Sequence, residues 1–249
     1  MDNLNPNRTL LYGEGLFETI HWVGVNRRLR RHYNRLRASA DFLSLPCPTF
    51  EDFVSSIESA TGGKRPLYVK YCLLSEGEGL FYRGPNSSKT LIITGPMPDI
   101  PKNVRLTYSP YRRHSTEPNI YHKCTNYLFN VLVKREALSR GFYDAIILNE
   151  HGLLTECSAS NILLIKDSRY LTPKPQCGLL WGTTLSVLAD NLPIELMDIG
   201  PELLQDAHEV YVLNSLIGAL PVTAIEGKVF GLNPKRQSHL TEILRSEEH

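Results

Sequence analysis

The sequence predicts a protein of two α/β domains, and three observations agree on this. The chain of 249 residues is long enough for two domains of about 100–150 residues each. Segments with helical spacing alternate with short runs rich in branched and aromatic residues. The stretch GPMPDIPKN carries Pro96, Pro98 and Pro101, which neither a helix nor a central strand accepts. We therefore place the domains at residues 1–96 and 103–249, with a linker at 97–102.

The first domain is predicted to contain one amphipathic helix followed by two strands. In RRHYNRLRASADFLSL, the apolar residues Leu36, Ala40 and Leu43 share one stripe at helical spacing, which predicts a surface helix. The runs RPLYVKYCLL and KTLIITG are rich in branched and aromatic residues and predict strands, with a glycine-rich loop between them.

The second domain is predicted to mix strands and helices throughout. VRLTYSP predicts a strand, and NYLFNVLVKREALSRG predicts a helix that ends at Gly141, which places Lys123 at the entrance of that helix. Two apolar runs joined by Asn149–Gly152 predict a hairpin. WGTTLSVLADNL predicts a helix that starts directly after a glycine, and EVYVLNSLIGALPVTAIEG supplies the last strands.

Composition favours small-molecule chemistry in the cytoplasm. With 27 basic and 26 acidic residues the net charge is +1, so no strong field attracts nucleic acid or an anionic membrane. The five cysteines are widely spaced without a CxxC pair, which argues against a disulfide framework and a thiolate zinc site. Met1 to Leu10 lacks a basic stretch followed by an apolar one, and no run approaches the roughly 18 apolar residues of a membrane helix. We expect no leader and no membrane span.

Lysine chemistry is the catalytic class that the motifs leave open. HExxH, GxSxG, GxxxxGK[ST] and a strand-linked GxGxxG are all missing, so metal, serine-nucleophile and nucleotide templates fail. A lysine amine can bond a carbonyl covalently, and pyridoxal phosphate (PLP) is the cofactor that most often uses this. Lys123 could supply the amine, Glu156 an acid for the pyridine nitrogen, and Thr183 and Thr184 a phosphate-binding helix start. Each also has a plainer interpretation: a solvated lysine, a surface-facing glutamate and N-capping threonines.

Five motifs in order resemble the class-IV aminotransferase family. They are LLYGEGLFETI, HKCTNYLFNVL, GLLTECSASNILLI, LTP followed by LLWGTT, and LNSLIGALPV. The family comprises PLP enzymes of fold type IV: branched-chain and D-amino-acid aminotransferases and 4-amino-4-deoxychorismate lyase. The resemblance implies two α/β domains with the cofactor in the interdomain cleft, no metal, and a homodimer.

The resemblance also assigns roles to individual residues. It implies that Lys123 is the lysine bonded to PLP and the proton carrier, and that Glu156 faces the pyridine nitrogen. The phosphate contacts that it implies come from Arg35 in HYNRL, from Thr183 and Thr184, and from Ser215 in LNSL. It also implies that Tyr12, Phe17 and Thr19 line the substrate side. Arg112 is implied to contact a substrate carboxylate, with Arg113 as an alternative.

The reaction within the family is chosen on two features. NSLIGALPV and the spacing from Lys123 to Asn126 resemble the lyases, so we expect conversion of 4-amino-4-deoxychorismate to 4-aminobenzoate and pyruvate. The alternatives are an aminotransferase acting on D- or branched-chain amino acids, and a non-enzymatic α/β module or a family member that has lost its activity. The stretch LLSEGEGLFYRG departs from the lyases, with Ser75, Glu76 and Glu78 where basic residues are expected and Arg83 as the one candidate to replace them. The residue that binds the second substrate carboxylate is therefore unassigned.

Overall fold

The computed structural model of the chain describes residues 7–248. The expectation of no leader rests largely on residues 1–6, which lie outside this range. The described residues form two compact units. Unit 1 comprises residues 7–98, His122–Tyr127 and Glu248, and unit 2 comprises Asp99–Tyr121 and Leu128–Glu247.

Unit 1 is built on a three-stranded antiparallel sheet with the order β1-β2-β3. Its strands are β1 (Gly15–Trp22), β2 (Leu67–Glu76) and β3 (Ser87–Gly95), and its helices are α1 (Arg8–Tyr12), α2 (Arg27–Phe42) and α3 (Phe50–Thr61). The predicted stripe on α2 is confirmed for Leu36 and Ala40, which are buried in the core of this unit, whereas Leu43 follows the end of the helix and is only partly buried. Asn26 caps α2 by accepting a hydrogen bond from the Leu29 amide at 2.8 Å, which satisfies a donor that the helix itself leaves unpaired.

Unit 2 contains a nine-stranded mixed sheet. Its strands are β4 (Val104–Arg113), β5 (Asp144–Asn149), β6 (Leu154–Cys157), β7 (Asn161–Lys166), β8 (Arg169–Pro173), β9 (Ile194–Met197), β10 (Glu209–Asn214), β11 (Gly218–Ile225) and β12 (Lys228–Val229). Its helices are α4 (Leu128–Ser139), α5 (Thr183–Asn191), α6 (Pro201–Gln205) and α7 (Pro234–Ser246), with 3₁₀ turns at Pro118–Tyr121 and Pro175–Cys177.

The strand order of this sheet is β6-β5-β4-β11-β10-β7-β8-β9, and β12 pairs with β11. Successive residues of β7 point to opposite faces, and both faces are covered. Ile162 and Leu164 belong to one buried cluster, whereas Leu163 and Ile165 belong to another that includes residues of α5 and α7. Burial on both faces explains the continuous apolar run of β7, which a sheet open to water on one side would not need.

The predicted elements are present, and the α+β class of the fold is confirmed. The hairpin joined by residues 149–152 is confirmed by the antiparallel pairing of β5 with β6. The placement of Lys123 at a helix entrance was wrong, because α4 begins only at Leu128. Lys123 instead lies in the extended segment that pairs with β1 through Leu16 and Cys124. The domain limits at residues 96 and 103 stay a prediction.

Candidate active site

Lys123 is held beside the aromatic ring of Phe17 in unit 1. Its backbone carbonyl accepts a hydrogen bond of 2.9 Å from the Phe17 amide, so β1 positions the lysine backbone directly. The amine Nζ lies 4.5 Å from the centre of the Phe17 ring and 5.7 Å from that of Tyr127, and the two rings meet edge to face at 5.1 Å. Aromatic faces attract a cation without fixing its hydrogen-bond geometry.

The turn before β1 lies close to the backbone that follows Lys123, at two points. Gly13 has φ 68°, and a Cβ there would lie 2.7 Å from the Asn126 Cβ. The amide of Thr125 donates to the Gly15 carbonyl at 2.8 Å. Glycine at position 13 therefore permits both the left-handed conformation and the close approach to Asn126. This explains the first glycine of GEG, the sequence that leads into β1.

Arg35 forms a buried ion pair with Glu18. Its Nε and Nη2 donate to the two carboxylate oxygens at 2.8 and 2.6 Å, the bidentate geometry that suits guanidinium and carboxylate. His32 contacts the same carboxylate through Nδ1 at 2.6 Å. Because α2 presents His32 and Arg35 three residues apart on one face, a single helix supplies both partners of Glu18.

The electrostatics of this trio keep Glu18 ionised. Burial alone would raise the pKa of the Glu18 carboxyl, but the charge and hydrogen bonds of Arg35, with help from His32, outweigh it and lower the pKa to about 2. Burial also lowers the pKa of His32, which favours a neutral imidazole. An ionised carboxylate can only accept hydrogen bonds, so Nδ1 of His32 carries the proton that faces Glu18.

A second lysine faces the same aromatic ring as Lys123. Lys70 on β2 pairs in register with Thr19 on β1, and its Nζ lies 4.4 Å from the centre of the Phe17 ring. Phe17 and Thr19 share one face of β1 because side chains alternate along a strand. The Nζ atoms of Lys70 and Lys123 lie 4.4 and 4.5 Å from the same ring centre. The distance between the two amines therefore cannot exceed the sum of these values. Within residues 7–248, Lys70 has no carboxylate at ion-pair distance.

The loop of residues 77–86 is held in place by a buried arginine and by Tyr12. Arg8, only 1% exposed, donates to the carbonyls of Glu78 and Leu80 at 2.7 and 2.9 Å and pairs with Glu14 at 2.5 Å. The hydroxyl of Tyr12 donates to a carbonyl of the same loop. This loop contains the last three residues of SEGEG, whereas Ser75 and Glu76 end β2.

Glu156 lies on β6 in unit 2, where it is buried and paired with Arg113. Arg113 also donates from Nη2 to the Asn130 side-chain oxygen at 3.3 Å, and Asn130 donates to the Ser158 carbonyl at 2.7 Å. The second oxygen of Glu156 accepts from the Asn161 amide at 3.4 Å. The surface-facing interpretation of Glu156 is therefore wrong, and the carboxylate has defined donors on both oxygens.

Arg112 and Arg113 point to different environments. Arg113 is buried beside Glu156, whereas Arg112 is exposed and donates to the Asn149 carbonyl at 3.0 Å. Alternation along β4 accounts for the difference. Arg113 is thus engaged in holding Glu156, and Arg112 stays the predicted contact for a substrate carboxylate.

The start of α5 has the features of an anion site. Gly182 occupies the N-cap position of α5, so the N-cap residue itself supplies no hydroxyl or carboxylate acceptor. Thr184 is 1% exposed, and its Oγ1 has no hydrogen-bond partner among residues 7–248. A buried hydroxyl without a partner costs about 1–3 kcal/mol. An anion at this helix start would satisfy both the amides and the hydroxyl.

Ser215 lies in the turn between β10 and β11. Asn214 organises this turn: its side-chain oxygen accepts from the Leu216 and Ile217 amides at 3.0 Å each, and its amide donates to the Ala159 carbonyl at 3.1 Å. The NSLIG sequence is therefore an asparagine-stabilised turn fixed to the segment that follows Glu156.

The two cysteines next to Lys123 and Glu156 lie in the protein interior. Cys124 and Cys157 are both buried, and burial raises the pKa of the Cys124 thiol to about 11 and that of Cys157 well above its ordinary value. Both thiols are neutral at pH 7. Within residues 7–248, no group of three or more histidine, cysteine or acidic side chains is arranged to hold a metal. No helix in this range is long and apolar enough to cross a membrane.

Sequence reasoning missed three residues that organise the candidate site: Glu18, His32 and Asn161. Glu18 had a usable signal, since it is a carboxylate inside the apolar run LFETI. His32 lies one turn before Arg35 on the predicted helix, so the pair could also have been found. Asn161 gave no signal, because its contact with Gly182 joins positions 21 residues apart.

The sequence of this chain is similar to those of known enzymes over most of its length. Residues 15–225 match the family described as amino-transferase class IV. A Thermotoga maritima protein named "Probable branched-chain-amino-acid aminotransferase" is 30% identical over 212 residues, which cover 80% of this chain and 72% of that protein. The aminodeoxychorismate lyase of Vibrio harveyi is 26% identical over 233 residues, covering 88% and 86%.

A crystal structure from Legionella pneumophila, named "Putative 4-amino-4-deoxychorismate lyase", superposes with a TM-score of 0.88 at 26% identity. The match covers 99% of this chain and 97% of that one. The fold is PLP fold type IV, and the chain belongs to the class-IV aminotransferase family. It is an enzyme whose cofactor is pyridoxal phosphate. The Thr184 hydroxyl, which has no hydrogen-bond partner in the described part of the chain, and the glycine N-cap of α5 fit the cofactor's phosphate.

Proposed function

We propose that the protein is an aminodeoxychorismate lyase, which converts 4-amino-4-deoxychorismate to 4-aminobenzoate and pyruvate. The observation that carries this proposal is the nearly complete mutual coverage with the Legionella protein named as such a lyase, 99% and 97%. The Thermotoga aminotransferase extends beyond the match, which covers 72% of it. The turn sequence NSLIG, built on Asn214, is a second support.

In this function Lys123 holds the cofactor and moves the proton. When bound, pyridoxal phosphate supplies an electron-withdrawing ring that stabilises negative charge on the substrate carbon. The Lys123 amine would serve as the base that removes the proton from the amine-bearing carbon of the substrate. The bond between the ring carbon and the enolpyruvyl oxygen then breaks, pyruvate leaves after protonation, and the substrate ring becomes aromatic.

Glu156 would keep the pyridine nitrogen protonated. A carboxylate suits this role only if its own position is fixed, and Arg113 and Asn161 hold one oxygen each. The Arg113 guanidinium is fixed in turn by Asn130. We assign Glu156 as the residue that determines the electron-withdrawing strength of the bound cofactor.

The phosphate would be bound by Arg35, Thr183, Thr184 and Ser215. Arg35 is oriented by Glu18, which uses its Nε and Nη2. Thr183 and Thr184 open α5, whose amides carry the positive end of the helix dipole. Tyr12 and Thr19 are assigned to the substrate side, as the resemblance implies.

The lyase substrate carries two carboxylates and needs two separated cationic or donor groups. Arg112 is assigned to one. Lys70 is our candidate for the other, since it is a half-buried cation that faces the same ring as Lys123 and lacks a carboxylate partner within residues 7–248. Thr19, its register partner, supplies a hydroxyl beside it. Lys70 thus replaces the basic residues that the SEGEG loop lacks.

The alternative is an aminotransferase acting on D-amino acids or branched-chain amino acids. It is favoured by one observation, the 30% identity to the Thermotoga protein. An aminotransferase would share the use of Lys123 and Glu156 and would differ in returning the proton to the cofactor. The pocket residues, and not the lysine, separate the two reactions.

One experiment separates them. The purified protein is supplied with chorismate, glutamine and the synthase that makes aminodeoxychorismate, and 4-aminobenzoate and pyruvate are measured. We expect both products in equal amounts, and none with the Lys123→Ala variant. Release of glutamate from 2-oxoglutarate with D-alanine or leucine as donor, without pyruvate formation, would assign the protein to the aminotransferases.

The proposed reaction also sets expectations for cellular context and assembly. Its product is the aminobenzoate unit of folate, so we place the enzyme in folate biosynthesis and in the cytoplasm. We expect a homodimer, and unit 1 offers a suitable surface: Leu10, Phe81 and Tyr82 are 84%, 78% and 67% exposed. Exposed apolar patches of this kind mark interaction sites. Sedimentation of the holoenzyme would give its mass.

A further inference from the structure

Asn161 joins two parts of the candidate site in unit 2. Its side-chain nitrogen donates to Glu156 Oε2 at 3.4 Å and to the Leu180 carbonyl at 2.8 Å, and its oxygen accepts from the Gly182 amide at 3.0 Å. Asn161 is buried at the first position of β7. One carboxamide therefore contacts both the carboxylate assigned to the pyridine nitrogen and the N-cap of the helix assigned to the phosphate.

Few side chains could make this bridge. The carboxamide donates and accepts at once, whereas an aspartate could accept from Gly182 but would face Glu156 with a second negative charge. Gly182 is also required, because a Cβ there would collide with the Asn161 oxygen. The glycine in LLWGTT is thus explained by its contact with Asn161 as well as by its place before a helix.

We propose that Asn161 is a positioning residue that couples the two ends of the cofactor site, so that an anion at the start of α5 sets the position of Glu156. The proposal rests on the assignment of Glu156 and α5 to the cofactor. An anion that binds the first amides of α5 fixes the backbone around Gly182, and Asn161 transmits this order to Oε2 of Glu156. The opposite oxygen is held independently by Arg113.

Coupling between two ligands at one site is reciprocal and measurable. Inorganic phosphate and pyridoxal, which lacks the phosphate group, separate the two ends of the site. If phosphate at α5 fixes Glu156, it strengthens the binding of pyridoxal. We expect an increase in pyridoxal affinity of about fivefold or more, the lower end of ordinary coupling between sites.

The test uses the full-length chain freed of its cofactor. Pyridoxal is titrated by its visible absorption with and without saturating phosphate. In Asn161→Ala the effect of phosphate should fall to within about twofold of none, the loss expected when one hydrogen-bonded link is removed. Asn161→Asp retains an acceptor for the Gly182 amide and keeps the side-chain shape. Asn161→Asp should also lose the effect of phosphate on pyridoxal binding. It therefore tests the proposal if Asn161→Ala fails to fold.

Asn233 provides a matched control. Its amide donates to the carboxylate of Glu209 at 3.0 Å, and its oxygen accepts from the Arg236 amide at 3.1 Å at the start of α7. This repeats the chemistry of Asn161 at a distant place: Glu209 is four residues along β10 from Leu213, the register partner of Asn161, or about 13 Å. Asn233→Ala should lower stability and leave the phosphate effect unchanged.

Three results would overturn the inference: no phosphate effect in the unmodified protein, an unchanged effect in both Asn161 variants, or an equal loss in Asn233→Ala. Failure of the unmodified protein to bind pyridoxal phosphate at all would instead overturn the assignment of the site. Because only binding is measured, the outcome does not depend on whether the enzyme is a lyase or an aminotransferase.

Discussion

Glu18 on β1 and Arg35 on α2 meet through two hydrogen bonds of 2.8 and 2.6 Å that join the guanidinium to both carboxylate oxygens. Glu18 is fully buried, so the pair orients the guanidinium plane and not merely its charge. The arginine assigned to the phosphate is therefore held in place by the protein before any ligand arrives.

Glu18→Gln should destabilise the protein by about 3 kcal/mol, because removal of one partner leaves a buried charge uncompensated. The pKa of Glu18 is lowered from 4.5 to about 2, so its contribution is present above pH 4.5 and is lost as the pH falls towards 2. The difference in free energy of unfolding between the variant and the wild type should be constant from pH 5 to 7 and shrink below pH 4.5. Denaturant titrations across this range test it.

Glu58→Gln is the control for the Glu18 experiment. The carboxylate of Glu58 lies 3.6 Å from Arg65 and is half exposed, and exposed ion pairs contribute about 0–1 kcal/mol. An equal loss in both variants, or a pH-independent difference for Glu18→Gln, would contradict the assigned role of the buried pair.

Lys123→Ala should abolish the covalent attachment of the cofactor while the phosphate contacts retain part of the affinity. The unmodified protein should be yellow, and borohydride should remove the visible band and label the peptide around Lys123. Mass spectrometry of the reduced protein locates the label. A protein that stays colourless after addition of pyridoxal phosphate would refute the assignment.

Glu156→Gln should lower turnover by orders of magnitude while the cofactor is retained, because a neutral amide cannot keep the pyridine nitrogen protonated. Glu209→Gln is the matched control, since Glu209 is also buried and paired with an arginine, Arg236, at 3.1 Å. Steady-state kinetics and cofactor content are measured for both. Near-normal turnover of Glu156→Gln would show that this carboxylate has another role.

Thr184→Val should leave the stability of the cofactor-free protein unchanged or raise it by about 1 kcal/mol, because it removes a buried hydroxyl without a partner. The affinity for pyridoxal phosphate should fall about tenfold, as expected for one lost hydrogen bond to a charged group. The control is Thr172→Val, whose hydroxyl donates to the Ile162 carbonyl at 2.7 Å. That variant should lose stability and keep its affinity; the reverse pattern would remove Thr184 from the phosphate site.

Lys70→Met and Arg112→Ala should each raise the KM for aminodeoxychorismate at least tenfold with little effect on kcat, because each removes binding shared by the ground and transition states. Cofactor affinity should be unchanged in both. Lys64→Met, at an exposed position, is the control for the loss of one lysine. A fall in kcat with an unaltered KM would assign Lys70 to the chemistry instead of to substrate binding.

Much of the fold followed from local patterns, and the candidate site followed only in part. The stripe on α2 and the hairpin at residues 149–152 are local features, and both were predicted correctly. The position of Lys123 was not, because its segment is fixed by pairing with β1, a contact between residues more than 100 positions apart. The periodicity of a sequence cannot reveal a strand that pairs from so far along the chain. The family resemblance identified Lys123 but not the residues that contact it.

The networks around the named residues were missed for the same reason. Arg113 was considered for a substrate carboxylate, and only the register of β4 shows that it is directed to Glu156 while Arg112 is exposed. Asn161 lies in the motif that carried the resemblance, yet its contacts depend on where the chain returns at Gly182. Site residues can be named from a motif, whereas their orientation is a property of tertiary structure.

The anchoring of residues 78–81 has a consequence for how this loop can change in evolution. Arg8 contacts the loop through the carbonyl oxygens of Glu78 and Leu80, and Tyr12 contacts it through that of Gly79. Carbonyl oxygens are common to all twenty amino acids, so these three contacts do not depend on the side chains at positions 78, 79 and 80. Substitutions at positions 78 and 80 can therefore alter charge or bulk while the contacts that anchor the loop are kept.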